Sequence, residues 1–119
     1  MTSNEQLTQK KCQPCEGMGK PLTKDEATKR LSQIPGWQVD TSGKLLFREF
    51  IMKNFLAAVR LISEIAKVAE AENHHPDLHL TGYRKLKVDL STHTIGGISE
   101  NDFILAAKIN QLPAELKQL

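Results

Sequence analysis

The segment "KNFLAAVRLISEIAKVAEAEN", residues 53–73, sets the terms for the rest of the chain. Phe55, Val59, Ile62, Ala66 and Ala69 recur at steps of three and four, with Leu56, Ala58 and Ile65 beside them. Lys53, Arg60, Glu64, Lys67 and Glu70 take the opposite side. This is the pattern of an amphipathic helix of about five turns. Such a helix has to bury its apolar stripe against another layer. It also has to stop near Asn73, because Pro76 pushes His75 out of the α region.

The flanking segments supply that layer. "WQVD" (37–40) and "LLFREFI" (45–51), joined by the turn "TSGK", read as two strands, although the second has apolar residues in both phases. "LHLTGY" (78–83) and "KLKVDLST" (85–92) read as two more, with Leu86, Val88 and Leu90 inward and Lys85, Lys87 and Asp89 outward. Capping boxes open two further helices: "TKDE", with Thr23 as N-cap and Glu26 at N3, and "SEND", with Ser99 and Asp102 in the same places. The first stops at Pro35-Gly36; the second runs through "DFILAAKINQL" to Pro113, burying Phe103, Ile104, Ala107 and Leu112. The order helix, strand, strand, helix, strand, strand, helix predicts an α+β fold. It would have a single four-stranded antiparallel sheet with three helices packed on one face.

A chain of 119 residues is one domain. Residues 1–21 show no periodicity and are expected to form a flexible arm, with the domain at 22–119. The only cysteines, Cys12 and Cys15 in "CQPC", lie in that arm and are read as incidental thiols. No second CxxC completes a zinc site, and the context is wrong for a redox motif. The lack of a disulfide framework and of an apolar leader points to the cytoplasm. A net charge of +2 with acids and bases interspersed gives no nucleic-acid patch. No apolar run approaches the roughly 20 residues of a membrane span.

All four histidines lie between positions 74 and 93: His74, His75, His79 and His93. His75 and His79 have the i, i+4 spacing of helical zinc ligands, but Pro76 denies them a helix, and there is no HExxH. Histidines near a helix C-terminus also suit the dipole without any further role. A three-histidine zinc site, a set of surface histidines and an acid–base site are the three readings. Confinement of all four to one region favours chemistry. With no nucleophile motif, P-loop or dinucleotide fingerprint, proton transfer to and from a bound small molecule is what remains.

The run "ENHHPDLHLTGYRKLKVDLSTHTIGGISENDFILAAKI" resembles the pterin-4a-carbinolamine dehydratases, also called the dimerisation cofactor family. HHP, the aromatic Tyr83, "STH", the GG loop and "SEND" carry the likeness, over residues 22–112 in element order and 70–110 in detail. The bacterial and plant-like members look closer. Leu78 stands where animal members carry an aromatic, and one extra residue separates His75 from His93.

The resemblance implies the same fold and a reaction. The family removes water from 4a-hydroxytetrahydrobiopterin, the carbinolamine left by aromatic amino acid hydroxylases, to give quinonoid dihydropterin. It implies catalytic roles for His74 and His93, matching the proton-transfer pair, and for His75, which contacts and orients the pterin. Pro76 would fix the turn, Glu70 would be the pocket's acid, and Ser91 and Thr92 would line the pterin edge. Asp102 would support the site, although as N3 of a capping box it needs no catalytic reason to be there. His79 has no matched role. No cofactor and no metal are implied. The implied partners are a pterin substrate, an aromatic amino acid hydroxylase through its product, and further copies of the chain in a dimer or tetramer. Two rival functions are a non-catalytic binding or coactivator module, as in animal members, and a pterin-related role in molybdopterin metabolism.

Overall fold

Both capping boxes form. A computed structural model of the protein describes residues 7–13 and 19–118. In it Thr23 caps helix α1 (Lys24–Lys29), its side chain accepting from the Glu26 N–H while the Glu26 carboxylate accepts from the Thr23 N–H. Ser99 and Asp102 do the same for α3 (Glu100–Asn110). Between them, Asn54 caps α2 (Phe55–Glu72) by accepting from the Ala57 N–H at 2.8 Å. Helix α2 ends at Asn73, whose φ of 52° places it in the left-handed region that lets a chain turn out of a helix. Short 3-10 turns cover Leu31–Gln33 and His93–Ile95.

Four strands, β1 (Gln38–Val39), β2 (Leu46–Ile51), β3 (Asp77–Thr81) and β4 (Lys85–Leu90), make one antiparallel sheet in the order β1-β2-β4-β3. The α+β architecture expected from the element order is the observed one. Register settles the phase of β2. Leu46 pairs with Leu90 and Phe50 with Leu86, so Leu46 and Phe50 share the buried face with Leu86, Val88 and Leu90. Phe47, Glu49 and Ile51 point to the other face. Arg48, on the inner face, donates to the Asn110 side chain and lies over the Phe50 ring, and Trp37 Nε1 donates to the same Asn110 oxygen at 2.8 Å. The helices add Ala57, Leu61, Ile65, Phe103, Leu105 and Ala107 to this core. Each fully buried Leu, Ile or Phe contributes about 1.5–3 kcal/mol.

Two expectations are corrected. Helix α2 turns Ala57, Ala58, Leu61, Ile65 and Ala69 inward, while Phe55, Leu56 and Val59 are exposed by 55%, 56% and 41% and Ala66 is also exposed. Apolar residues cover well over half the circumference at its N-terminal end. The buried face there is made of the small Ala57 and Ala58, and a second apolar stripe stays outside. The N-terminal segment is the other. At residues 7–13 it is packed rather than free: Leu7 is fully buried in the core, and Cys12 and Gln13 are hydrogen-bonded to α2 and α3. A single leucine in a polar lead-in has no periodicity to announce it. Cys15 lies outside the described residues. No helix among the described residues is long and apolar enough to cross a membrane.

Candidate active site

Asp102 is the centre around which the site is assembled. It is fully buried at the start of α3, and both its oxygens are engaged. Oδ1 lies 2.6 Å from His74 Nε2; Oδ2 accepts from Thr92 Oγ1 at 2.8 Å and from the Ser99 N–H at 2.9 Å. An ionised carboxylate only accepts, so His74 donates through Nε2 and its Nδ1 is the ring nitrogen not held by Asp102. Thr92 gives its one proton to Asp102 and so accepts from Ser99 Oγ, 2.5 Å away. One buried carboxylate thus fixes the end of α2, the end of β4 and its own helix start.

His93 follows Thr92 and opens the 3-10 turn, with its side chain exposed. The loop after it depends on its two glycines. Gly96 has φ of 73°, and a Cβ on Gly97 would meet the Cβ of Pro21 at 2.8 Å. The Thr92 N–H to Gly97 carbonyl bond, 2.7 Å, closes the loop. His93 is exposed on a loop tied to the same Thr92 that meets Asp102.

His75 points elsewhere. Its Nε2 is 2.5 Å from the Glu70 carboxylate in an exposed pair. Such a pair contributes little to stability, about 0–1 kcal/mol, but it fixes the ring's orientation. Glu70, His75, Pro76 and Leu78, with Ile65, Ala66 and Ala69 of α2, line a hollow of about 250 Å³. Its walls are mostly apolar, which suits the face of a flat ring.

The structure therefore sorts the sequence-derived residues into two adjoining groups. His74, Thr92 and Asp102 form one buried network with His93 at its edge. Glu70, His75 and Pro76 line the hollow, and the 74–75 peptide joins the two. The Ser91 hydroxyl joins neither group; it donates to the Lys44 carbonyl at 3.0 Å, with the Gly97 carbonyl of the loop at 3.5 Å. Thr92 is buried, with its hydroxyl turned to Asp102 and Ser99 rather than outward. His79 lies on the outer face of the sheet, 2.9 Å from Asp89, away from both groups. Ser99 is legible in the sequence as a cap and not as a site residue; Leu78, which stands where animal members carry an aromatic, forms a wall of the hollow. Among the described residues no three His, Cys, Asp or Glu side chains gather to hold a metal ion.

A second contact joins α2 to α3 beside this network. Glu72 accepts from Lys108 Nζ at 2.6 Å and from the Cys12 N–H at 2.8 Å. Burial works to raise the Glu72 pKa, but these hydrogen bonds and the lysine charges outweigh it and hold the carboxyl below its usual value. The Cys12 thiol is pushed up to about 12, by burial first and by the Glu72 charge second, so it stays neutral and unreactive.

A sequence profile for "Pterin 4 alpha carbinolamine dehydratase" matches residues 20–112. The chain belongs to this family. A protein of Halorhodospira halophila, provisionally named a pterin-4-alpha-carbinolamine dehydratase, is 44% identical over 91% of this chain and 98% of its own length. Pterin-4-alpha-carbinolamine dehydratase 2 of Arabidopsis thaliana, a mitochondrial protein by name, is 42% identical over 92% of this chain and 60% of its own. Among solved structures, a transcriptional coactivator/pterin dehydratase from Brucella melitensis superposes with a TM-score of 0.69 at 32% identity, covering 76% of this chain and 95% of that one. A pterin dehydratase-like protein described as a RuBisCO assembly factor of the alpha-carboxysome shares the fold at 18% identity, with a TM-score of 0.53 over 63% of this chain and 86% of its own. In this family member Asp102 bonds both His74, the first residue of the HHP turn, and Thr92, which precedes the GG loop.

Proposed function

We propose that this protein dehydrates 4a-hydroxytetrahydrobiopterin to quinonoid dihydropterin. The observation that carries the reading is the Asp102 network, which ties His74 and the residue preceding His93 to one buried carboxylate within a family so named. The reaction needs two proton movements. An imidazolium gives its proton to the C4a hydroxyl, which leaves as water. A neutral imidazole takes the N5 proton, and the C4a–N5 double bond forms with no net oxidation. His74, with Nε2 held by Asp102, and His93, exposed beside Thr92, serve as this pair. His75, oriented by Glu70, lies against the pterin beside Pro76. The physiological setting we assign is tetrahydrobiopterin recycling in the cytoplasm, fed by an aromatic amino acid hydroxylase. Purified protein treated with a chelator is expected to accelerate the loss of the 4a-hydroxypterin absorbance above the spontaneous rate. Activity abolished by chelation and restored by zinc overturns the metal-independent mechanism; no acceleration in either state overturns the dehydratase reading.

We further propose that the chain works as a homo-oligomer. Exposed Phe55, Leu56 and Val59 form an apolar stripe on α2, and β3 is an open sheet edge. Light scattering is expected to give a dimer or tetramer mass. A single-chain mass independent of concentration contradicts this.

A further inference from the structure

Two of the contacts that residues 7–13 make with the domain lie beside the His74–Asp102 bond. Cys12 donates its N–H to Glu72, two positions before His74. The Gln13 peptide is bonded twice by one side chain: its N–H donates to Asn101 Oδ1 at 2.9 Å, and its carbonyl accepts from Asn101 Nδ2 at 2.7 Å. Asn101 immediately precedes Asp102 and is itself buried. Leu7, fully buried in the core, anchors the other end of the segment. The paired bonds to Gln13 match the way one backbone strand reads another, an arrangement that fixes direction as well as distance.

We infer that residues 7–13 are a positioning strap, which bridges the end of α2 to the start of α3 and thereby holds the His74–Asp102 contact in register. The inference rests on the dehydratase reading for its kinetic consequences, though not for its geometry. Asn101 and Gln13 touch no reacting atom; they act through Asp102. A helix start released from the strap lets the buried carboxylate shift against His74. Displacements near 1 Å at a proton-transfer site cost up to about 100-fold in rate.

Two substitutions test this. Asn101→Ala removes both bonds from the α3 side. Gln13→Pro removes the peptide N–H from the strap side without altering α3, and residue 13 is exposed, so folding is retained. Each is expected to lower kcat about 10-fold with KM changed less than about twofold. Ile109→Val, a core truncation in the same helix, controls for general loosening and leaves kcat unchanged. In an Asp102→Asn background, Asn101→Ala is expected to cost nothing further, because the strap acts through that carboxylate. A kcat within twofold of the unaltered protein for both strap variants, or full additivity with Asp102→Asn, overturns the inference. The His74 ring signal in proton–nitrogen correlation spectra reports the Nε2–Asp102 contact whether or not turnover occurs. If the unaltered protein accelerates nothing, the dehydratase reading fails. The strap then stands if Gln13→Pro shifts that signal and falls if it does not.

Discussion

His74→Ala and His93→Ala are each expected to lower kcat by about 100- to 10,000-fold while the protein stays folded, since general acid–base catalysis is worth that much. The two differ in what they leave behind. His93 is exposed, so its removal strands no buried group. His74 is buried, and its loss leaves Asp102 Oδ1 without its donor, so that variant also loses roughly 1–3 kcal/mol of stability. His75→Ala is expected mainly to raise KM, because that ring lines the hollow and carries no proton in the proposed step. His79→Ala serves as the internal control, its ring being on the far face of the sheet. The spontaneous loss of water from the carbinolamine has to be subtracted in each case. If His79→Ala proves as damaging as His93→Ala, the reaction takes place on the other face of the sheet.

The second large effect belongs to Asp102. Asp102→Ala leaves the His74 ring N–H, the Thr92 hydroxyl and the Ser99 amide N–H without an acceptor in a buried setting. Stranded buried donors cost about 1–3 kcal/mol each, so chemical denaturation is expected to show a loss of roughly 3–5 kcal/mol, with activity near background. Asp102→Asn separates the two roles. Its carboxamide oxygen can occupy the Oδ2 place and keep the Thr92 and Ser99 bonds. Its NH2 group then faces His74 Nε2, which has to become an acceptor and move its proton to Nδ1. That variant is expected to keep most of its stability and lose about 100-fold or more in kcat. Unfolding of Asp102→Asn to the same degree as Asp102→Ala would make Asp102 chiefly a structural residue; unchanged kcat would remove it from catalysis.

Much of this was written in local signals. Thr23 and Ser99 cap helices because short polar side chains reach the free N–H groups one turn ahead, a requirement confined to a few consecutive residues. The alternation Leu86, Val88, Leu90 put β4 on the core for the same reason: a period of two needs no partner to be read. The HHP turn and the GG loop marked out the region of the site. The double duty of Asp102 was only half legible. "SEND" shows the cap, while the bond to His74 spans 28 positions and exists only once α2 and α3 lie side by side.

What tertiary structure alone decided follows from that distance. Which side of α2 faces inward could not be read from a helix with Phe55, Leu56, Ala57, Ala58 and Val59 in succession. Packing against the rest of the fold made the choice, burying Ala57 and Ala58 and leaving the larger side chains outside. Arg48 sits on the inner face of β2 because Asn110, 62 positions away, accepts from it there. The ordering of residues 7–13 likewise depends on Leu7 reaching the core and on Asn101, 88 positions from Gln13. Caps and alternation are satisfied within one turn or one strand, so the sequence determines them by itself. Packing phase, buried ion partners and the strap are settled by groups that meet only when the layers close.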